Sequence, residues 1–515
     1  MSTHETNENP DKPSISLLNP NELQRFLSTL PTDAYRAVEG IMEWLNACSK
    51  VDLDGITRFG IVNALDEAAQ SRVRALTQEY LYTPRLVKIE EARLWDIIHG
   101  FWYRIAEQYH RCLDSAGRKD NSSEQLKPDL PLVATRAIAA LGAVIKWESF
   151  NYGAIPNDYW ARLGKSYLLM EQEGNVRKTL PIYPAQGGVT SSLAEYLRVL
   201  FFQASSLNNL LPLEIELSDR LIAHLQPDFV FSAESSPQSV WWADAGKAIP
   251  PLRLAQLPKD MTQTLRFFHP GEAQIRLRVL EQEISRGGSV PTWVSQGEAV
   301  TTPTLLSVIE HLIAYWAPTP PQRQHERHHV KHQMVVLPGL VNAIVMVSPE
   351  FGGKPSGLPL ESWIVENVSQ GGFGVVVKDL QSDWIRVGAL LVMQPGGEGN
   401  WLVGVVRRYQ RISDNEAQVG IETLSKRIAS VDVRPRADTP DAPATPGSPA
   451  LWLQDDDPKG DIRFILPRGT FNAKESLEFD YNRRRIFLTP LKLLERGSDY
   501  EVATFHATVA AQKKD

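Results

Sequence analysis

The sequence predicts a multidomain α+β protein: a large all-helical N-terminal domain, a small mixed α/β segment, a six-stranded antiparallel β-barrel and a small strand-rich C-terminal module. Three observations predict it. The chain has 515 residues, too many for one ordinary domain. Apolar residues recur at three and four through residues 21–226, and beyond residue 320 short β-rich runs broken by Gly and Pro replace that pattern. A hydrophobic share of 43% and a charged share of 22% exclude a mainly disordered or collagen-like chain. Lys+Arg number 54 against 61 Asp+Glu, a net charge of -7, so the protein is not built to coat nucleic acid, although a local basic site could still hold a phosphate. Cys48 and Cys112 are too few for a disulfide framework or a four-cysteine zinc site and read as ordinary thiols of a reducing compartment.

Residues 1–20 are polar, carry no basic-then-apolar signal pattern and read as a disordered lead-in. In the helical domain (21–226), Leu193, Tyr196, Leu197, Leu200 and Phe201 share one helix face. Similar amphipathic stretches run over 32–49, 54–80, 91–113 and 132–147, punctuated by Pro31, Pro84, Pro128, Pro156 and Pro184. The most apolar window, 132–147, is interrupted by Arg136 and Lys146 and is too short to cross a bilayer, so the expectation is a cytoplasmic protein without membrane insertion. The mixed segment (227–319) offers strands at 229–231 and 275–280 and a helix at 304–316. The barrel (320–432) offers strands at 334–337 with 341–347, then 363–366, 373–377, 389–394, 401–409 and 418–422. Five prolines between Arg434 and Pro449 suggest a stiff linker over 433–450. The C-terminal module (451–515) offers strands at 462–466, 477–481, 486–488 and 500–509. No repeat of fixed period stands out.

Two short motifs carry the chemistry. Arg323-Gln324-His325-Glu326-Arg327 places two arginines four apart just before the first barrel strand. Planar guanidinium groups on a short connector can grip phosphate and stack on, or bond to, a guanine edge. Asn367-Val368-Ser369-Gln370-Gly371-Gly372 lies between two strands and supplies short polar side chains, with glycines that let the backbone turn and approach a ligand. In this order, flanking strands, the two motifs resemble the PilZ domain, whose signature is Arg-x-x-x-Arg followed by [Asp/Asn]-x-Ser-x-x-Gly on a six-stranded barrel. Val387-Gly388, Gly404 to Arg407 and Val419 to Glu422 extend the resemblance, which covers roughly residues 321–423. It implies cyclic di-GMP as ligand, with no further cofactor. Arg323 and Arg327 would clamp phosphate and guanine. Asn367, Ser369, Gly371 and Gly372 would line the barrel side, and Gln322 holds the position that tunes ligand stoichiometry. The gap from Arg327 to Asn367 is longer than the family pattern, with an inserted loop at 349–360 that could displace the connector.

Other motifs carry less. His325, His328, His329 and His332 run into a strand that points neighbours to opposite sides, which disfavours a metal site. The Gly-Lys pairs at Gly246-Lys247 and Gly353-Lys354 lack the Ser/Thr and leading glycine of a phosphate loop. Residues 160–167 match the opening of a tetratricopeptide repeat, but the second half fails, which leaves a close-packed helical hairpin with Gly164 at the crossing. Trp241-Trp242 and Phe267-Phe268 read as core. No catalytic motif is found, so the expected function is a non-enzymatic cyclic di-GMP receptor whose helical domain acts through an unidentified protein partner. The alternatives are a structural adaptor with a degenerate, non-binding barrel and an enzyme with its site in 227–303.

Overall fold

The computed structural model describes residues 20–509 except 84–85, 118–119, 323–324, 349–356, 379, 381–383, 397–399, 414, 437–445, 456–460 and 483. The chain forms two compact units, Met1–Gln322 and Arg323–Asp515.

The first unit opens with helices α1 (Pro20–Ser28), α2 (Ala34–Lys50), α3 (Gly55–Tyr82), α4 (Lys88–Ala116), α5 (Asn121–Leu126), α6 (Leu130–Phe150), α7 (Asn157–Gln172), α8 (Ser192–Ala204) and α9 (Pro212–Leu225). Their starts follow local chemistry. Asp33, Asp54 and Ser191 accept from the backbone N–H groups of Arg36, Thr57 and Ala194, which satisfies donors the first turn leaves open. The mixed segment contributes strands β1 (Val230–Ser232), β2 (Trp241–Asp244), β3 (Leu252–Arg253) and β4 (Leu265–His269) in the order β1-β4-β2-β3, then α10 (Ala273–Ser285), α11 (Thr292–Ser295) and α12 (Thr302–Trp316). One hydrophobic core runs from Leu23 to Trp316 across both regions. Phe201 of α8 stacks on Phe229 and meets Trp241, Phe268 and Trp316 edge-on, so the paired aromatics of the mixed segment are core.

Two expectations in this unit are corrected. Residues 275–280 alternate apolar and basic, yet they lie in α10. Ala273, Leu277 and Ile284 turn inward at helical spacing, while Ile275 and Val279 are left exposed, so packing overrides the two-residue period. The repeat-like stretch at 160–167 is α7, and the nearest neighbour of Gly164 is the turn after β2 rather than a hairpin partner helix. A Cβ there would lie 2.0 Å from the Ala245 carbonyl oxygen, so the glycine lets the turn after β2 press on the helix. That turn is the Gly-Lys lookalike. Asp244 knits it by accepting from Thr262 at 2.8 Å and from the Gly246 N–H at 3.1 Å, and Lys247 pairs with Asp244.

Arg136 and Lys146, which break the apolar run of α6, each anchor a buried ionic network. Lys146 bonds Glu216 at 2.9 Å and Asp219 at 2.8 Å, and Asp219 also receives both arms of Arg198. Burial alone would raise Asp219 and Glu216, but the neighbouring cations outweigh it and hold both carboxyls below the ordinary range. Groups with depressed folded values stabilise above the ordinary carboxylate range of about 4 and lose that contribution as pH falls through their folded values. The urea midpoint of this unit is therefore expected to be lower at pH 3 than at pH 7; a flat profile would show the network to be energetically idle.

The second unit is two closed barrels. The first comprises β5 (His328–Pro338), β6 (Glu361–Ser369), β7 (Gly372–Lys378), β8 (Leu390–Pro395), β9 (Leu402–Ser413) and β10 (Glu416–Ser425), with α13 (Leu340–Val347) between β5 and β6. The second comprises β11 (Ile428–Pro435), β12 (Ser448–Leu453), β13 (Asp461–Pro467), β14 (Leu477–Tyr481), β15 (Arg484–Arg496) and β16 (Tyr500–Val509). Both have the same connectivity. The first strand pairs with the second, the second with the third, the third with the sixth, the sixth with the fifth, the fifth with the fourth and the fourth with the first. The chain thus repeats one topology without repeating its sequence.

Residues 341–347, expected as a strand, form α13. Their β-branched side chains favour a strand, but Leu340, Ala343 and Met346 are buried at helical spacing among residues of both barrels, with Val341 exposed. The proline-rich stretch is not a linker between domains. Its described ends belong to β11 and β12, which pair from Ile428↔Leu453 to Val433↔Ser448, so it closes a hairpin inside the second barrel. Pro435 and Pro449 sit at strand positions, where proline is tolerated near strand ends. A core shared by the two barrels joins Leu390, Val392, Val403 and Val405 to Leu451, Leu453, Ile465, Tyr500 and Val502.

Candidate ligand-binding site

The β6–β7 hairpin and the segment leading into β5 meet at one end of the first barrel. The register dictates this. His328 pairs with Val368 and His329 with Asn367, so Arg327 enters the barrel beside the turn at Gln370-Gly371. A cavity of about 400 Å³ opens there. Arg327, Asn367, Ser369, Gly371 and Gly372 all line it, as does His325. Arg323 lies outside the described residues. Gln322 is exposed and ends the first unit. The extra length between Arg327 and Asn367 holds the end of β5 and α13, and its 349–356 portion also lies outside the described residues; Arg327 keeps its place at the cavity.

The two glycines have different physical roles. A Cβ on Gly372 would stand 1.9 Å from the Ile421 carbonyl oxygen, because β7 and β10 approach closely where Gly372 pairs with Glu422. At Gly371 the nearest atom would be the ring of His325 at 3.1 Å. Ser369 closes the turn by donating to the Gly372 carbonyl at 3.3 Å, and the Thr423 N–H donates to the Gly371 carbonyl at 2.9 Å. The turn is fixed before any ligand arrives.

Asn367 is the polar centre of the cavity. Gly374 faces it, and a Cβ there would come within 2.5 Å of the Asn367 amide, so the missing side chain makes room for the carboxamide. The Asn367 Oδ1 is buried with no hydrogen-bond partner among the described residues. A buried acceptor without a donor costs about 1–3 kcal/mol, which a ligand N–H would recover.

Sequence reasoning missed a further part of the lining, formed by Arg407 and Arg408 of β9 and Glu422 of β10. The Arg407 side chain donates to Glu422 at 2.6 Å and, through both terminal nitrogens, to Glu495 of β15. Burial alone would lower the Arg407 pKa, but the bonds to and charges of the two glutamates outweigh it and hold the guanidinium protonated. Among the described residues Arg327, Arg407 and Arg408 line the cavity with Glu366 and Glu422, and Glu495 adds a third carboxylate beside Arg407. His328 and His329 lie on β5 as exposed neighbours, and no group of three or more His, Cys, Asp or Glu side chains able to hold a metal occurs among the described residues.

Comparison with known families agrees with this geometry. Residues 21–237 match the family described as cyclic-di-GMP receptor FimW, N-terminal domain, and residues 356–429 match cyclic-di-GMP receptor FimW, middle PilZ domain. The second match spans the Asn367–Gly372 hairpin and the lining at β9 and β10, and it begins after the arginine connector. No curated protein matches the chain. With a six-stranded barrel closed around the Asn-x-Ser-x-x-Gly hairpin and both matches in chain order, the first barrel of this chain belongs to the PilZ family.

Proposed function

We propose that the chain is a cytoplasmic receptor for cyclic di-GMP, in which the first barrel takes the nucleotide and the N-terminal helical region passes the signal to a protein partner. Binding rather than catalysis is the task. The observation that carries the reading is the convergence of Arg327, Asn367, Ser369, Gly371 and Gly372 on one cavity, where the buried Asn367 amide oxygen has no hydrogen-bond partner among the described residues. Arg327, with Arg323 beside it in sequence, supplies charge for the phosphates and planar donors for a guanine edge. Asn367 Oδ1 accepts from the base or ribose, and the fixed Ser369–Gly372 turn offers backbone groups without further ordering cost. Arg323 and Arg327 stand on the segment that joins the two units in sequence, which gives nucleotide binding a covalent route to the helical region.

Isothermal titration of the full-length protein with cyclic di-GMP, with GTP as control, tests the reading. Saturable binding at micromolar ligand or tighter is expected. A charge-assisted hydrogen bond contributes about 1.5–3 kcal/mol, so Arg327→Ala or Arg323→Ala should each weaken binding about ten- to a hundredfold. Wild-type affinity in both variants would remove the site assignment. No binding by the parent protein would favour an adaptor whose barrel serves contacts alone.

A further inference from the structure

The first barrel's cavity reaches the second barrel through one side chain. On β9 the register against β10 runs Arg408↔Gly420 and then Val406↔Ile421, so Arg407 is the extra residue of a β-bulge. Bulges re-aim side chains, and this one turns Arg407 toward both the cavity wall and β15. Its Nε donates to Glu422 at 2.6 Å, while Nη1 and Nη2 donate to Glu495 Oε1 and Oε2 at 2.7 and 2.6 Å. Glu495 itself follows a bulge at Leu494, where β15 pairs Leu493↔Ala503 and then Glu495↔Val502. The Tyr500 hydroxyl donates to Glu495 at 2.8 Å, and its ring is fully buried in the core shared by the two barrels. Two carboxylates therefore share one guanidinium at the edge of the cavity.

We propose that Arg407 is a further ligand-contacting residue of this cavity, and that it binds a ligand phosphate by exchanging its fork-to-fork contact with Glu495 for the same contact with the phosphodiester, so that occupancy of the first barrel loosens β15 of the second. The proposal rests on the receptor reading above. A carboxylate and a phosphodiester each present a pair of oxygens to a guanidinium fork, so the fork that holds Glu495 can hold a phosphate once the Arg407 side chain turns from β15 toward the cavity. Glu495 is left with the Tyr500 hydroxyl, and the signal enters the shared core through that ring. Glu495 competes with the ligand for Arg407, and linkage makes the competition reciprocal.

The sign of one variant separates this from a purely structural ion pair. Titration with cyclic di-GMP is compared for the full-length parent protein, Glu495→Gln and Arg407→Gln, with hydrogen exchange followed over Arg484–Arg496. Removal of the competing carboxylate should tighten binding about fivefold or more, the lower range of allosteric couplings. Arg407→Gln should weaken it about tenfold or more, and saturating ligand should speed exchange in β15 of the parent protein. A Glu495→Gln affinity equal to or weaker than that of a binding parent protein would overturn the exchange and leave the receptor reading intact. Failure of the parent protein to bind would overturn the receptor reading, and this proposal with it. Should Glu495→Gln fail to fold, exchange in the parent protein decides: β15 protection unchanged by ligand overturns the proposal.

Discussion

Arg136→Leu is expected to destabilise the first unit by about 3–5 kcal/mol, the cost of removing one partner from a buried charge cluster. Arg136 is fully buried and donates to Asn63 at 2.6 Å, Glu67 at 2.8 Å, Tyr109 at 3.1 Å and the Ile182 carbonyl at 2.8 Å. It stands 3.7 Å from Asp66, itself wholly buried, so it joins α3 and α6 to the loop after α7. Leucine leaves Asp66 with the neutral donors Tyr109, Gln70 and Tyr183. Burial already raises the Asp66 carboxyl above its ordinary value, against the opposing charge of Arg136. Without Arg136 the folded value rises further, and the variant takes up a proton on folding. An acid whose folded value exceeds its unfolded one gains stability as pH falls, so the deficit should shrink from pH 7 toward pH 5. Urea unfolding of parent and variant at the two pH values measures both effects. A deficit under about 1 kcal/mol, in the range of exposed pairs, would mean that the cluster contributes as little as a surface salt bridge.

What was legible in the sequence follows the physics of each signal. Arg136 and Lys146 were legible only as interruptions of an apolar helical run; their partners on α3, α4 and α9 could not be read, since only the fold brings those elements together. The Arg327 and Asn367–Gly372 side of the cavity was legible because its residues are close in sequence and their types are demanded by turn geometry and charge. Arg407 was not, because a bulge shifts the strand register by one residue and alternation then gives the wrong face, and Glu495 was not, because it lies beyond the strand expected at 486–488. The expected linker at 433–450 failed for another reason. Proline density signals a stiff segment, but whether its ends pair with each other is decided by the strands beyond it, and β11 and β12 were hidden by the prolines they carry, Pro435 and Pro449. The same weakness concealed the repeated barrel topology, which resides in pairing order and leaves no fixed sequence period.

Gly372→Ala should destabilise the first barrel by about 3 kcal/mol, the upper part of the range for overpacking, and abolish nucleotide binding with it. The new Cβ would stand 1.9 Å from the Ile421 carbonyl oxygen and 3.2 Å from the Glu422 Cα. Both are backbone atoms of β10, so no rotamer change relieves the contact. Relief requires β7 and β10 to part where Gly372↔Glu422 and Phe373↔Ile421 pair, and these pairs help close the barrel. Gly371→Ala provides the control one residue away. Its Cβ would meet only the exposed His325 ring, at 3.1 Å, and a flexible side chain yields at a cost within about 0.5 kcal/mol. Thermal melting and titration of the two variants should therefore diverge, although both change a glycine of the same hairpin to the same residue. Equal behaviour would mean that the hairpin, rather than the β7–β10 seam, limits this end of the barrel. Divergence would assign the last glycine of the Asn-x-Ser-x-x-Gly pattern to barrel closure, with ligand binding lost as a consequence of the opened seam.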